Sequence, residues 1–337
     1  MARRVVTVFG GSGFLGRHLV QRLAASGAIV RVAVRDTEDA LYLKPLGDVG
    51  QIVPVTASVA NQASVEAAVD GADAVVNLVG ILYEWSKNTF ERIHAQGAGT
   101  VAAAAKAAGA GKLVHISAIG ADPQSDSLYA RSKAAGEQAV REAFPEASIF
   151  RPSVIFGPED TFFNLFAGLS RITPFLPVFG CPLIPKITLF QDDNLIDIDF
   201  FADGGTKFQP VYVGDVADAI MAALEAPEAQ GQTYELGGPQ VYSYKQVMEL
   251  LLENIGRKKI LAPYPFGLAA FWAFFLEMWP KPLFTRDQIK LLRKDNVVGS
   301  GAKTLRDLGI EPTAAEAILP TYLRRYRPPA RQNLREA

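Results

Sequence analysis

Hydrophobic positions in the first 150 residues switch repeatedly between two spacings. Val5-Val6-Thr7-Val8-Phe9 is a short β-branched apolar run that ends at glycines, and it predicts a buried strand. Leu15, Leu19 and Leu23 then recur every four residues, the stripe of a helix face, and Gly27 marks the end of that helix. Residues 29–34 predict the next strand; 52–55, 74–79, 113–117 and 148–150 follow at similar intervals. Helical stretches lie between them, including the alanine-rich 98–110. Strands alternating with helices imply an α/β fold of the Rossmann type, a doubly wound parallel sheet.

The pattern then loosens. Pro174, Pro177, Pro182 and Pro185 punctuate an apolar stretch that reads as a loop-rich cap. An acidic segment follows at 191–203, with Asp192, Asp193, Asp197, Asp199 and Asp203. It lacks the glycine and closing glutamate of a calcium loop, so a solvated hairpin is the preferred reading. Residues 211–213 and 234–236 predict strands, with a helix over 215–224 between them. The last hundred residues read as a smaller, mainly helical lobe. The expected organisation is therefore a nucleotide-binding core over 1–160 to which 207–237 returns, a cap with an acidic insertion over 161–206, and a lobe with a basic tail over 238–337.

Composition narrows the function. The chain has 337 residues, half of them apolar and a fifth charged, the balance of a globular protein. Its 34 basic and 35 acidic residues predict no nucleic-acid partner. Cys181 stands alone, which fits a reducing compartment and excludes a cysteine-built metal site; His18, His94 and His115 are scattered, so no metal is expected. No secretory signal is expected, because Met1-Ala2-Arg3-Arg4 runs straight into the first strand. The longest uncharged apolar run, 260–276, is too short to span a bilayer and is interrupted by Pro263 and Pro265.

The candidate chemistry begins at Gly10-Gly11-Ser12-Gly13-Phe14-Leu15-Gly16, between the first strand and the first helix. Glycines at 10, 13 and 16 permit a tight turn, close approach of a pyrophosphate and close packing of helix on sheet. The helix start then presents free N–H groups and partial positive charge to phosphates. After the second strand, Arg35 precedes Asp36. An arginine there pairs with the 2′-phosphate of NADP, an acidic residue with the ribose hydroxyl of NAD. The order favours NADP(H), with NAD(H) read by Asp36 as the alternative. Tyr129 and Lys133 lie one helical turn apart on one face, and a lysine beside a tyrosine is expected to lower the phenol's pKa and fit it for proton transfer.

Taken together, the glycine run, Tyr129 with Lys133, Arg151-Pro152-Ser153-Val154-Ile155-Phe156-Gly157-Pro158 and Pro210-Val211-Tyr212-Val213-Gly214-Asp215-Val216 resemble the extended and atypical short-chain dehydrogenase/reductase family. Ala143-Phe144-Pro145-Glu146-Ala147, Pro152 onward to Asp160, Gln209 onward to Val213, Thr285-Arg286-Asp287 and Leu305-Arg306-Asp307-Leu308-Gly309-Ile310 extend the resemblance, within that family, to the nucleotide-binding accessory subunits of respiratory complex I, in a bacterial version. Three departures stand out. Where catalytic members carry a serine after the fifth strand, the run His115-Ile116-Ser117-Ala118 puts alanine at position 118, with Ser117 one position early and expected to face the wrong way. Ser58 stands where an aspartate often meets the adenine. The acidic insertion is longer than the family leads one to expect.

The resemblance implies a nucleotide that is structural rather than turned over. Tyr129 and Lys133 would then hold the nicotinamide ribose as a vestigial catalytic pair. The backbone at Pro152, Ser153 and Val154 would lie against the nicotinamide, and Gly80, Ser58 and Ser117 would lie along the cofactor. It further implies complex I subunits of the peripheral arm and membrane junction as partners, near the quinone site, and a peripheral place on the cytoplasmic face of the inner (plasma) membrane. For the apolar, aromatic segment 266–279 two readings stay open: a helix buried in the C-terminal lobe, or a surface resting on lipid or a membrane subunit. The arginine-rich tail is either a disordered end or a contact to anionic lipid or a neighbouring subunit. The alternatives in function are an active NADP-dependent reductase or sugar-nucleotide epimerase using Tyr129 and Lys133, and a sensor of the NADP(H) ratio.

Overall fold

Seven short, mostly apolar runs assemble side by side into one parallel sheet. The computed structural model describes residues 3–181, 186–191, 194–199, 201, 203–279, 282 and 284–329, with the backbone only over 186–199. In chain order β1 (Val5–Phe9), α1 (Phe14–Ala25), β2 (Ile29–Val34), β3 (Ile52–Thr56), α2 (Gln62–Val69), β4 (Ala74–Asn77), α3 (Gly97–Ala107), β5 (Lys112–Ile116), α4 (Leu128–Ala143) and β6 (Ser148–Pro152) give the alternation. Then come β7 (Ile155–Phe156), α5 (Phe162–Ile172), β8 (Phe175–Phe179), β9 (Lys186–Gln191), β10 (Asn194–Asp199), β11 (Lys207–Phe208), β12 (Val211–Tyr212), α6 (Val213–Glu225) and β13 (Thr233–Leu236). The chain closes with β14 (Tyr242–Ser243), α7 (Tyr244–Ile255), β15 (Ile260–Tyr264), α8 (Phe266–Leu276), α9 (Arg286–Leu291) and α10 (Ala315–Leu323).

The main sheet has the order β13-β6-β5-β4-β1-β2-β3, and every neighbouring pair is parallel. Both faces are covered, which is why its strands read as near-continuous apolar runs rather than as alternating ones. On one face Leu19 and Leu23 of α1 and Val216 and Ile220 of α6 pack on Val8, Val30, Val32 and Val76. On the other, Val65, Val69, Val101 and Val140 from α2, α3 and α4 pack on Phe9, Val75 and Leu113. A third apolar cluster lies in the C-terminal lobe, around Phe163, Leu176, Val178, Tyr244, Leu251 and Leu319.

Several elements differ from the sequence-based expectation for identifiable reasons. The strand predicted over 74–79 stops at Asn77, because the Asn77 side chain accepts the Val79 N–H (3.1 Å) and turns the backbone out of the ladder. The proline-punctuated stretch expected to be loop contains β8, which pairs in parallel with β15; Pro177 sits in this two-stranded edge, where a missing N–H is tolerated. The acidic segment does contain a hairpin strand, with Asn194 opposite Gln191 in the β9–β10 register; of its aspartates, Asp203 is exposed and the side chains of the other four lie outside the described residues.

The structure removes one of the two readings of the 266–279 segment, the helix buried in the lobe. In α8 only Ala269 and Ala273 are buried, whereas Phe271 (57%), Trp272 (53%), Phe274 (51%), Met278 (75%) and Trp279 (73%) are exposed. A helix buried in the lobe is therefore excluded. Among the described residues no helix is long and apolar enough to cross a membrane. In the basic tail, Arg325 and Arg327 are engaged within the lobe, donating to Asn164 Oδ1 (2.5 Å) and to the Asn254 carbonyl (2.8 Å) respectively; Arg331 and Arg335 lie outside the described residues.

Candidate functional site

The strand order reverses direction between β1 and β4, and the glycine turn lies at the carboxyl ends of these strands. Such a switch point is where open α/β sheets leave a crevice for a ligand. Gly10 has φ +76, a conformation that costs glycine nothing, and a Cβ there would stand 3.3 Å from the carbonyl carbon of Leu78. Gly13 N–H closes the turn onto the Gly10 carbonyl (3.0 Å). A Cβ on Gly16 would come within 2.5 Å of both the Gly10 and Gly11 carbonyl oxygens, so α1 can approach the turn only with glycine at that place. Gly13 caps α1 without any side-chain acceptor, and the first intrahelical bond is Arg17 N–H to Gly13 O (3.1 Å). The N–H groups of Phe14, Leu15 and Gly16 therefore precede any helical acceptor, an arrangement suited to an anion. This cradle fits the pyrophosphate of a dinucleotide.

Beside it, Arg35 is exposed, whereas the carboxylate of Asp36 accepts its own chain's Glu38 N–H (2.9 Å). A second arginine comes into view that the sequence reading passed over. Arg17 lies with its guanidinium 4.9 Å from the Tyr42 ring centroid, donates to the Tyr42 hydroxyl (3.2 Å) and pairs with Glu159 (3.2 Å). The Tyr42 hydroxyl in turn donates to the Ser12 carbonyl (2.8 Å) and so braces the glycine turn. Ser58 is half-buried, its hydroxyl accepting the Ala60 N–H (3.4 Å).

The other end of the crevice gathers Tyr129, Lys133, Gly80 and two histidines. Ser127 starts α4 by accepting the Ala130 N–H, which sets Tyr129 in the first turn and Lys133 in the next. Lys133 is buried and donates to the Ile116 carbonyl (3.1 Å); burial holds its pKa down at about 8, against the opposing charge of Glu137. Its ammonium nitrogen is 6.0 Å from the centroid of the Tyr129 ring. Burial pushes the Tyr129 phenol up to about 12, so the expected lowering by the neighbouring lysine is not found. Desolvation outweighs a charge held at that distance and committed to a carbonyl.

His94 had counted only as one of three scattered histidines, yet it lies inside this site. Its ring stacks on Phe90 at 5.3 Å and meets Tyr129 edge-on at 5.3 Å. Nε2 accepts the Ile81 N–H (2.9 Å), which leaves Nδ1 to donate to Ser132 Oγ (2.9 Å), while the Ser132 hydroxyl donates to the Tyr129 carbonyl (2.8 Å). Burial, then the charge of Lys133, hold His94 neutral with a pKa of about 3. Gly80 is exposed at the rim, where a Cβ would lie 3.4 Å from Lys133 Nζ and 3.6 Å from His94 Nε2. His115 is likewise buried and held at about 3; its Nδ1 accepts from Asn77 (3.3 Å). Its Nε2 and the Ser117 hydroxyl are buried without a partner, two polar atoms at the floor of the crevice. Ala118, half-exposed, supplies no hydroxyl.

Pro152 and Ser153 are buried and Val154 half-buried at the end of β6, but the Ser153 hydroxyl is committed away from the crevice. It lies 2.9 Å from the Asn296 carbonyl and 2.5 Å from Asn296 Oδ1, and it accepts the Gln209 N–H (3.3 Å). The Pro152 carbonyl, the Ser153 N–H and the Val154 carbonyl are also bonded within the fold, to Ile119 (3.0 Å), Leu236 (2.8 Å) and Val211 (3.0 Å). His115 was open to detection from sequence, since it stands on β5 two positions before Ser117, which directly follows the strand. His94 was not, because it approaches Tyr129 through a wide helical turn at Glu91–Gln96 that has no sequence signature.

The family model of the NAD dependent epimerase/dehydratase family matches residues 6–237, which spans the sheet and the whole crevice. Subunit 9 of the NADH dehydrogenase [ubiquinone] 1 alpha subcomplex from Arabidopsis thaliana is 36% identical over 335 residues, covering 96% of this chain and 78% of the relative. The same-named mitochondrial protein of Mus musculus is 34% identical over 325 residues, covering 96% and 80%. Among solved structures, the triphenylmethane reductase of a Citrobacter species superposes with a TM-score of 0.70 over 95% of this chain and 99% of that one, at 16% identity, a likeness of fold. The chain belongs to the NAD dependent epimerase/dehydratase family, and within it has complex I alpha-subcomplex subunits as full-length relatives.

Proposed function

We propose that this protein is an NADP(H)-binding, non-catalytic accessory subunit of complex I, the proton-pumping NADH:ubiquinone oxidoreductase. The observation that carries the reading is the glycine turn at the switch point of the sheet, with free N–H groups at the start of α1 and alanine rather than serine at 118. The glycine cradle and α1 start would take the pyrophosphate, Arg35 the 2′-phosphate, and Tyr129, Lys133 and Gly80 the nicotinamide ribose, with the backbone at Pro152, Ser153 and Val154 alongside the nicotinamide. Against turnover stand alanine at 118 and the Lys133 ammonium, which is given to the Ile116 carbonyl and lies 6.0 Å from the Tyr129 ring centroid. Bound nucleotide would stabilise the folded chain by mass action. The exposed aromatic helix α8 supports a peripheral place in the complex; the membrane junction, the quinone site and the cytoplasmic face of the membrane follow from the resemblance alone.

Gentle solubilisation of native membranes and isolation of complex I provide the test. Mass spectrometry should find this chain together with about one NADP(H) per copy, as a single Rossmann site requires. Recovery only in the soluble fraction, with carbonyl substrates turned over at a rate sensitive to Tyr129→Phe, would establish the reductase instead. Cofactor choice is checked separately by calorimetry. Arg35→Ala should weaken NADPH by roughly 10- to 100-fold, the value of a charge-assisted phosphate contact, and leave NADH unchanged. Loss of NADH binding in Asp36→Ala, with NADPH unaffected by Arg35→Ala, would reverse the assignment.

A further inference from the structure

One carboxylate of the C-terminal lobe reaches the start of the helix that carries Tyr129 and Lys133. Asp287, in the first turn of α9, accepts three hydrogen bonds there: from the Ser127 hydroxyl (2.8 Å), the Leu128 N–H (2.7 Å) and the Tyr129 N–H (3.0 Å). A helix start leaves its first N–H groups without acceptors and carries partial positive charge, and a carboxylate satisfies both. Such caps are normally local. This one comes from 158 residues away and from another lobe. It holds the N-cap residue and the first two helical residues, and one of those is Tyr129 itself.

The lobe is braced to deliver it. Thr285 and Gln288 cap each other at the start of α9. Glu277, at the end of α8, accepts from the Arg286 N–H (2.6 Å) and from Arg286 Nε (2.7 Å). Carboxylates thus join α8, α9 and α4 in sequence. Two other contacts bridge the same regions, Lys294 with Asp122 (3.1 Å) and Lys290 with the Asp126 carbonyl (3.3 Å). They are exposed and touch the loop before α4, not the helix N–H groups, so they contribute little to its placement.

We propose that Asp287 is a positioning residue for the nicotinamide end of the crevice, through which the C-terminal lobe sets the nucleotide affinity of α4. The proposal rests on the reading that the crevice holds NADP(H). Because coupling between two events is reciprocal, bound nucleotide tightens the lobe's hold on α4 by the same factor.

The test titrates the full chain with NADPH and with adenosine 2′,5′-bisphosphate, which carries the 2′-phosphate but has no nicotinamide end. Asp287→Ala should weaken NADPH about tenfold, equivalent to ~1.4 kcal/mol, and leave the bisphosphate at its wild-type affinity. Asp287→Asn keeps one acceptor oxygen and should fall between. Lys294→Ala, the control for simple lobe attachment, should bind both ligands as the wild type does. Hydrogen exchange at residues 128–133 should quicken in Asp287→Ala and not in Lys294→Ala. Wild-type NADPH affinity in Asp287→Ala would overturn the proposal, as would an equal loss for both ligands, which would mark general destabilisation. A wild-type chain that binds neither ligand would overturn the nucleotide reading, and this proposal with it.

Discussion

Gly16→Ala is expected to weaken nicotinamide-nucleotide binding about 100-fold or more, equivalent to ~2.7 kcal/mol, and to cost the apo fold about 3 kcal/mol, the upper range for overpacking. The new methyl would meet the Gly10 and Gly11 carbonyl oxygens at 2.5 Å, and these are main-chain atoms that no rotamer change can move aside. Either α1 withdraws from the turn, which spoils the N–H cradle, or the turn deforms. Gly27→Ala separates the two effects. Gly27 has φ +86 but nothing within 4 Å of its Cβ position, so alanine there carries backbone strain of about 1 kcal/mol and no clash. Calorimetric titration with NADPH, alongside thermal melts, should show binding lost in Gly16→Ala and kept in Gly27→Ala. Wild-type affinity in Gly16→Ala would mean that the dinucleotide does not use this turn.

The second large effect is in pH. Stability should fall by about 4 kcal/mol between pH 7 and pH 5. His94 and His115 are held neutral with pKa values of about 3, against 6.5 for the free side chain. The unfolded chain takes up their protons near pH 6.5 while the folded chain does not until about 3. Within that window the unfolded state binds more protons, so stability declines as pH falls. At pH 5 each histidine contributes about 1.5 pH units of that difference, or ~2 kcal/mol, at about 1.4 kcal/mol per unit. Lys133 titrates above this range, folded at about 8 and unfolded near 10.5, and so leaves the slope between pH 5 and 7 unchanged. Melting temperature against pH should be steep for the wild type and nearly flat for the His94→Asn/His115→Asn double variant. Parallel slopes would show that neither ring is buried neutral.

Much of this molecule was legible without coordinates. The strands β1 and β2 fall on the runs that their β-branched residues mark, because a strand covered on both faces must be apolar throughout and β-branched side chains suit it. The glycine turn was legible because its constraint is local: a tight turn and a close helix admit one residue type. Tyr129 and Lys133 could be placed on one face because helical spacing alone decides that. What such spacing cannot supply is environment. It predicts a tyrosine with lowered pKa, whereas in the folded chain the half-buried Tyr129 is desolvated and the lysine turns toward the Ile116 carbonyl.

The remaining parts of the site arise from contacts between residues far apart in the chain. His94 meets Tyr129 across a wide helical turn, and Tyr42 reaches the glycine turn from 30 residues away. Asp287 caps α4 from another lobe, and α8 shows its aromatic face only because the lobe packs on its two alanines, Ala269 and Ala273. Sequence by itself determined the strands of the sheet's first half, the glycine turn and the placing of Tyr129 and Lys133 on one helix face, since local sterics and periodicity encode each of them. Tertiary structure alone decided the protonation of that pair, the histidines beneath it, the lobe that caps it and the face left exposed. Those depend on desolvation and on long-range packing, which no short stretch of chain specifies.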